Sequence, residues 1–295
     1  MIPDLVAIAP KDLESVLADE CDKRTISQHE RLFLLKDKAP PAFAQNVWLK
    51  PEILKFQSIS QAAKHLRAIQ RSWWLHSTAA HRRAQLIQEA MPSVKPRPAE
   101  FLADIPKTPL GSWTLLDEET LLYSAQCSSP FPDGEIEFIE NKLDPPSRAY
   151  LKLWELFTLL EKHPKAGDKI VDLGSSPGGW TWVLDELGCE VLSVDKAPLD
   201  GKMRISKKVT FVSESAFGLK PAKMDWLFSD VICYPERLLE LVQKWEPLVP
   251  NMVCTLKFQG ATNFAIIKEF LKIPGSEIRH LTCNKHELTW WRLTR

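Results

Sequence analysis

A glycine-rich turn, VDLGSSPGGW (Val171–Trp180), has the residue types of a ligand-binding loop. Gly174, Gly178 and Gly179 have no Cβ atom, so the backbone there can approach a ligand closely. Asp172 precedes the turn, where its carboxylate can orient the turn amides or an ammonium group. The turn joins an apolar strand pattern, KIVDLG, to a helical pattern, which predicts the crevice where open α/β sheets bind ligands.

The spacing of these glycines distinguishes two classes of ligand. A dinucleotide site requires G-x-G-x-x-G, because a pyrophosphate must lie against a helix N-terminus. Here the spacing is G-x-x-x-G-G and Pro177 removes an amide donor, which favours a ligand with an amino-acid end and a nucleoside end, such as S-adenosylmethionine. The next strand pattern, EVLSVD, ends at Asp195, whose carboxylate can accept both hydroxyls of a ribose. The alternative is that GSSPGG is only a connecting loop and Asp195 only a strand-end cap.

The elements that must position these residues follow a regular order after residue 145. Strand patterns KIVDLG, EVLSVD, VTFVSE, MDWLFSD and MVCTLKF are interspersed with helical patterns, and SEIRHLTCN and ELTWWRLT follow without a helix between them. Strands that alternate with helices predict a parallel sheet covered on both faces. We therefore predict an α/β fold, a Rossmann-like sheet of seven strands with an antiparallel last pair, as in class I methyltransferases.

The segment before residue 146 has a different organisation. Its strand and helix patterns are mixed, which predicts a smaller α+β domain over residues 1–145. Pro145 and Pro146 mark the boundary, because consecutive prolines stiffen a linker and cannot continue a helix. The second domain, residues 146–295, then opens with an amphipathic helix for which Ser147 is the expected N-cap.

Composition excludes several classes of protein. The 295 residues include 38 Lys+Arg and 38 Asp+Glu, so the chain is not a globally basic coat protein of nucleic acid. The six cysteines are scattered and form no C-x-x-C pair, which makes a structural zinc site and a disulfide framework unexpected. We expect no metal, no membrane partner and a reducing cytoplasmic location.

Several motifs make the sequence resemble the FtsJ-type RNA ribose 2′-O-methyltransferases. VDLGSSPGGW is similar to the cofactor loop of that family, which also carries a Lys-Asp-Lys-Glu tetrad. The matching segments SRAYLKL, LFSD, VCTLKF and NKHELTWW supply Lys152, Asp230, Lys257 and Glu287. For the glutamate, a shifted alignment around Lys285 or His286 is the alternative. The resemblance covers about residues 145–295.

Within that family the sequence most resembles the RlmM-like branch, which modifies a cytidine of 23S ribosomal RNA. The resemblance implies S-adenosylmethionine as cofactor, large-subunit ribosomal RNA as partner, and a THUMP-like, RNA-binding N-terminal domain. The family often has an acidic residue after the third strand that binds adenine; here Ser215 takes that position, with Glu214 beside it. The predicted cofactor-binding residues are Asp172, Gly174, Ser176, Pro177, Gly178, Gly179, Trp180, Asp195, Glu214, Ser215 and Asp230.

Methyl transfer to a ribose hydroxyl sets the roles expected of the tetrad. The hydroxyl is a poor nucleophile and must lose its proton, so we assign the general base to Lys257. A lysine is normally protonated at neutral pH, so this role needs desolvation or a neighbouring positive charge, such as Lys152. Asp230 and Glu287 stabilise ammonium groups and are expected to orient them.

RNA contacts in the first domain are harder to locate. Lys64–Arg71 and His81–Arg83 are basic and lie near Trp73 and Trp74, so they could hold phosphates and stack on bases. The alternative is a solvated helix face beside core tryptophans. For the whole chain, the alternative to an enzyme is a non-catalytic RNA-binding or assembly factor on a methyltransferase fold.

Overall fold

The computed structural model describes residues 2–105, 109–201 and 206–294. The chain divides into two compact units, the first made of Met1–Ala99 and Asp104–Glu137, the second of Glu100–Ala103 and Phe138–Arg295. No helix in the described residues is both long and apolar enough to cross a membrane.

The first unit combines short strands with three helices. Its elements are β1 (Leu5–Ile8), α1 (Glu14–Cys21), β2 (Thr25–His29), β3 (Leu32–Leu35), β4 (Asn46–Trp48), β5 (Glu52–Lys55), α2 (Ile59–Ile69), β6 (Trp73–Leu75), α3 (His81–Glu89), β7 (Gly111–Asp117) and β8 (Thr120–Ser124). The strands form two four-stranded sheets, in the orders β2-β3-β1-β4 and β5-β8-β7-β6. Only β6 and β7 pair in parallel among these described strands, so the unit is α+β.

The second unit contains one sheet and four helices in its described residues. Its elements are α4 (Tyr150–Leu160), β9 (Lys169–Leu173), α5 (Gly179–Glu186), β10 (Glu190–Asp195), β11 (Val209–Ser213), β12 (Trp226–Ser229), α6 (Pro235–Trp245), β13 (Asn251–Lys257), α7 (Phe264–Leu271), β14 (Ser276–Arg279) and β15 (Glu287–Arg292). The seven strands lie in the order β11-β10-β9-β12-β13-β15-β14. The core strands are apolar because both faces of a parallel sheet are covered.

The topology of this sheet creates one crevice at its centre. Strand β9 pairs in parallel with β10 on one side and with β12 on the other, so the chain changes direction across the sheet there. Strand β15 runs antiparallel to both β13 and β14. This arrangement confirms the predicted α/β methyltransferase fold with a mixed seven-stranded sheet. Ligands of such sheets bind at the carboxyl ends of the strands beside the switch point.

Helix α4 is unusual in being buried on nearly all of its faces. Nine of its eleven residues are buried, as expected for a helix that lies inside a core. Two of the buried residues, Lys152 and Glu155, are charged. The prediction that Ser147 caps this helix was wrong. Ala149 occupies the N-cap position without a side-chain hydrogen bond, and Ser147 lies two residues earlier, in the segment that leads into the helix.

Candidate active site

The ends of neighbouring strands bring three of the four predicted tetrad residues to one edge of the sheet. Asp230 follows β12, and Lys257 is the last residue of the parallel neighbour β13. Glu287 is the first residue of β15 and pairs directly with Lys257, because β15 runs in the opposite direction. Lys152 reaches the same edge from α4, in the turn-and-helix segment that precedes β9.

These four side chains form one connected cluster. Lys152 Nζ lies 2.6 Å from Glu287 Oε1 and 3.3 Å from Asp230 Oδ1. Lys257 Nζ lies 3.1 Å from the same Asp230 Oδ1 and donates to the Asp230 carbonyl oxygen at 2.5 Å. Two ammonium groups therefore share one carboxylate oxygen, and Glu287 is the residue of its segment that contacts Lys152.

Burial makes these ion pairs stronger than pairs on a surface. The side chains are only 8% to 19% exposed, and Lys152 is the most buried of the four. Burial alone would lower the pKa of Lys152, but the carboxylates of Asp230 and Glu287 outweigh it and leave the pKa raised. Lys152 is therefore a fixed positive charge, because it remains protonated when the site is partly desolvated.

The glycine-rich turn has the conformation that its residue types predict. Gly174 has φ +78°, and a Cβ atom there would lie 2.6 Å from the Cα of Val231. Gly178 has φ +115° and is the N-cap of α5. A Cβ on Gly179 would lie 2.6 Å from Ser147 Oγ. The turn consequently packs against the segments that flank Asp230 and α4 without a gap that a larger residue could use.

Asp172 is completely buried behind this turn. Burial raises its pKa to about 7, partly opposed by the hydrogen bond that Thr181 Oγ1 donates to Oδ2 at 2.6 Å. A chain of buried hydroxyls continues from Thr181 Oγ1 to Ser193 Oγ (3.1 Å) and Ser175 Oγ (2.8 Å). These bonds fix one carboxylate oxygen, whereas Asp172 Oδ1 has no hydrogen-bond partner in the described part of the chain.

A small cleft of about 30 Å³ lies between the glycine-rich turn, the start of α4 and Asp230. Its lining includes two buried polar side chains whose atoms Asp172 Oδ1 and Ser147 Oγ lack hydrogen-bond partners among the described residues. A buried polar atom that is left without a partner costs free energy. Two polar atoms without partners therefore line the space beside the glycine-rich turn, where a hydrogen-bonding group of a ligand could pair with them.

Comparison with known proteins finds a family that resembles this part of the chain. The family model described as FtsJ-like methyltransferase matches residues 145–271. Residues 145–271, called here the FtsJ-like domain, are therefore similar to methyltransferases of this family. This domain contains Lys152, Asp230, Lys257 and the entire glycine-rich turn; Glu287 lies just beyond the matched residues.

Curated relatives resemble a longer part of the chain. Ribosomal RNA large subunit methyltransferase M of Xanthomonas oryzae pv. oryzae is 34% identical over 210 residues, which are 67% of this chain and 56% of that protein. The protein of the same name from Alkalilimnicola ehrlichii is 40% identical over 107 residues, or 34% of this chain and 30% of its own length. The matched stretch thus spans between about a third and about half of these relatives. Among solved structures, magnesium protoporphyrin IX methyltransferase from Synechocystis PCC 6803 with bound SAM is 18% identical, with a TM-score of 0.34, over 43% of this chain and 71% of that one.

Other predicted cofactor residues of the FtsJ-like domain surround the same turn. Asp195 ends β10, and its oxygens accept from the backbone amides of Ser176 (3.0 Å) and Ala197 (2.9 Å). Trp180 is buried, and its Nε1 donates to the carbonyl oxygen of Ala149 at 2.9 Å, so this ring anchors the turn to the start of α4. Pro177 is exposed and follows Ser176 in a cis peptide bond.

Glu214 and Ser215 follow β11, next to the end of β10. The Glu214 amide donates to the carbonyl oxygen of Asp195 at 3.2 Å, which brings this segment beside the predicted ribose-binding carboxylate. Glu214 is exposed, and Ser215 is half-buried with its Oγ accepting from the amide of Phe217 at 3.4 Å. Both residues therefore lie at the strand edge where the FtsJ-like domain has its other predicted cofactor residues.

Sequence reasoning missed the residues that support Asp172. Thr181 and Ser193 read as ordinary members of a helix and a strand, and only the fold shows that their hydroxyls meet. The sequence predicts only a capping role for Ser147, but this residue, the first of the SRAYLKL segment, lines the cleft. No group of His, Cys, Asp and Glu side chains suited to a metal ion occurs in the described residues.

The predicted RNA-binding residues of the first unit fall into two groups. Lys64, Arg67 and Arg71 are exposed on or directly after α2. Trp73 is fully buried and its Nε1 donates to the Leu66 carbonyl oxygen at 2.9 Å, so its ring belongs to the core and is not free to stack on a base. The basic side chains are thus placed on the surface, whereas this tryptophan has a packing role.

Proposed function

We propose that this chain is an S-adenosylmethionine-dependent RNA ribose 2′-O-methyltransferase that acts on large-subunit ribosomal RNA. The observation that carries the proposal is the convergence of Lys152, Asp230, Lys257 and Glu287 beside the cleft of the glycine-rich turn. The names of the curated relatives support ribosomal RNA as the substrate class.

Lys257 is the proposed general base. Its Nζ contacts both the carbonyl oxygen and a carboxylate oxygen of Asp230. These contacts would orient the nitrogen lone pair that forms when Lys257 loses its proton. The neutral amine then accepts the proton of the ribose 2′-hydroxyl, and the oxygen becomes able to form its new bond to carbon. Lys152 Nζ contacts the same Asp230 Oδ1 as Lys257 Nζ, so the two lysines share this carboxylate oxygen.

Glu287 and Asp230 have orienting roles in this proposal. Glu287 holds Lys152 at 2.6 Å, and Lys152 in turn contacts Asp230, so the carboxylate beside Lys257 is fixed from its other side.

The cleft residues are proposed to hold S-adenosylmethionine. Asp172 and Ser147 offer unpaired polar atoms to its amino-acid end, and Asp195 offers a carboxylate to its ribose hydroxyls. Ser176, Pro177, Gly178 and Gly179 shape the turn, with Glu214 and Ser215 on the adenine side. When bound, this cofactor supplies a methyl group already activated by a sulfonium, so the protein need not protonate a leaving group.

The first domain, residues 1–145, is proposed to bind RNA as a THUMP-like domain. What supports this is the exposed basic side of α2, where Lys64 and Arg67 face solvent opposite the buried Ala62, Ala63 and Leu66. Lysine and arginine side chains of this kind hold phosphates and position RNA without reading its sequence.

The experiment is methyl transfer to defined RNA. The purified chain is incubated with S-adenosylmethionine labelled in the methyl group and with an unmodified 23S ribosomal RNA transcript, and ribose methylation is mapped along the product. We expect label at one 2′-oxygen, and none with Lys257→Ala. RNA binding without any label would instead support the non-catalytic assembly factor, and label on a base would contradict ribose chemistry.

A further inference from the structure

Glu155 is a buried charged residue that the proposed chemistry does not use. It lies on α4 three residues after Lys152 and is 2% exposed. Residues three apart on a helix lie on neighbouring positions of one face. The same face of α4 therefore presents an ammonium group to the candidate active site and a carboxylate to the segment beside it.

The Glu155 carboxylate is bound by the connection between β14 and β15. The Thr282 amide donates to Oε1 at 3.0 Å and to Oε2 at 2.9 Å, and Thr282 Oγ1 donates to Oε1 at 3.0 Å. The backbone of Cys283 also lowers the pKa of the Glu155 carboxyl. All of these partners are donors, so a carboxylate, which only accepts, matches them better than an amide.

This connection also leads to Glu287. Thr282 precedes Glu287 by five residues, and hydrogen bonds within the connection hold the intervening chain. The Asn284 amide donates to the Leu281 carbonyl oxygen at 2.9 Å, and His280 Nε2 donates to that of Lys285 at 3.1 Å. A shift of Thr282 would consequently be passed along to the start of β15.

Helix α4 therefore contacts this connection through two side chains of opposite charge. At one, Lys152 of the helix binds Glu287; at the other, Glu155 of the helix binds Thr282. Glu155 forms no ion pair with a described lysine, arginine or histidine, and burial raises its pKa to about 8 although the bonds from Thr282 and Cys283 lower it. Burial opposes the ionised form of this carboxyl, whereas an apolar side chain at the same position would leave the Thr282 donors unpaired.

We propose that Glu155 is a positioning residue that fixes the β14–β15 connection against α4 and thereby places Glu287 against Lys152. The proposal rests on the proposed function, because it gives Glu155 a role in the tetrad's geometry. The competing view is that pairing of β15 with β13 already fixes Glu287 and that Glu155 is only a structural tie.

Glu155→Gln is the main variant, and Glu161→Gln, exposed at the end of the same helix, is its matched control. Glutamine keeps the shape but turns an NH₂ group toward donors. We expect the single-turnover rate of methyl transfer to fall about ten- to hundred-fold, since small displacements of reacting groups have effects of that size. Affinity for S-adenosylmethionine should stay within about twofold of wild type, as the cleft does not include Glu155.

A double-mutant cycle separates positioning from general damage. If Glu155 acts through Glu287, Glu155→Gln adds little to the loss caused by Glu287→Gln, because the geometry it protects is already lost. Multiplied losses, or an unchanged rate in Glu155→Gln, would overturn the proposal. Should Glu155→Gln fail to fold, Thr282→Val is used instead; it removes one donor, and Thr282→Ser, which restores the hydroxyl, should recover the rate.

Amide hydrogen exchange tests the positioning role of Glu155 separately from methyl transfer. We expect the amides of residues 282–287 to exchange at least about tenfold faster in Glu155→Gln, with helix α6 unchanged. If wild type transfers no methyl group but exchange in this segment depends on Glu155, the proposed function fails and the positioning role stands. If exchange is unaffected, the positioning role fails whatever the activity.

Discussion

Lys257 and Asp230 are joined twice. The ammonium nitrogen of Lys257 donates to the backbone carbonyl oxygen of Asp230 at 2.5 Å and lies 3.1 Å from the Oδ1 of the same residue. A backbone oxygen cannot rotate away, so the end of the β13 side chain is tied to the end of β12. The candidate base is therefore oriented by the sheet itself and not only by a mobile carboxylate.

Replacement of Lys257 tests its role as general base. Lys257→Ala is expected to reduce methyl transfer by at least about 10²–10⁴-fold, the usual contribution of a positioned acid or base. Affinity for S-adenosylmethionine should remain near wild type, because Lys257 does not line the cleft. Rates are measured by single-turnover incorporation of label and affinity by calorimetry.

The control for this variant is Lys268→Ala, which removes an exposed lysine from α7. It should leave both quantities unchanged. Retained turnover in Lys257→Ala would remove this residue as the base, and a parallel loss of cofactor affinity would show that the variant disturbed the cleft as well.

Asp195 is expected to contribute to cofactor binding and not to the chemical step. Asp195→Ala removes the acceptor of the Ser176 and Ala197 amides and a carboxylate proposed to bind ribose hydroxyls. Hydrogen bonds to a charged group contribute about 1.5–3 kcal/mol, so the dissociation constant should rise roughly ten- to hundred-fold. Calorimetric titration checks this; an affinity equal to that of the exposed-site control Glu186→Ala would refute the placement.

The fold of the second unit could be predicted because the central strands of its sheet are buried on both faces. Runs such as IVDL and VCTL leave no polar face, and each is separated from the next by a helical pattern or a turn, so the order of elements follows from the sequence. Strands β2 and β5 were not predicted, because TISQH and EILK are edge strands with half-buried or exposed side chains and no clear alternation.

In the candidate site, too, some residues could be predicted from the sequence and others could not. Lys257 could be found because a lysine that ends an apolar strand needs a polar neighbour, and the family resemblance supplied that neighbour. Glu155 could not be found, since YLKLWELF predicts only a buried helix and its partner Thr282 lies 127 residues away in sequence. Contacts between distant segments depend on topology, which local patterns do not encode.

Gly174 offers a test of the tight packing around the turn. Gly174→Ala would place a Cβ 2.6 Å from Val231, the residue after Asp230, whereas Gly167→Ala has a comparable φ of +89° and no atom within 4 Å. Both variants carry the cost of a left-handed alanine, about 1–2 kcal/mol. The clash should make Gly174→Ala a further ~1–3 kcal/mol less stable in denaturant unfolding, and it alone should lose methyl transfer. Equal stabilities would contradict the packing described for this turn.

The buried carboxyl group of Asp172 should make the stability of the protein depend on pH. Burial raises its pKa to about 7, with Asp230 and Asp195 raising it further and Thr181 opposing. The folded state therefore keeps this proton at pH values where the unfolded chain has released it. The contribution to stability is complete below about pH 4 and is lost as the pH rises through about 7. Above that pH the folded protein contains an ionised carboxylate in which only Oδ2 accepts a hydrogen bond from the described residues.

Asp172→Asn removes this titration while keeping an oxygen that can accept from Thr181. The free energy of unfolding of the variant minus that of wild type should therefore increase from pH 4 to pH 8, by on the order of a few kcal/mol, because only wild type loses stability over that range. Denaturant unfolding across that range measures it, with the exposed-site variant Glu277→Gln as control. A difference that stays flat with pH, or that grows in the opposite direction, would mean that the buried carboxylate is ionised in the folded protein throughout, and that Thr181 outweighs burial.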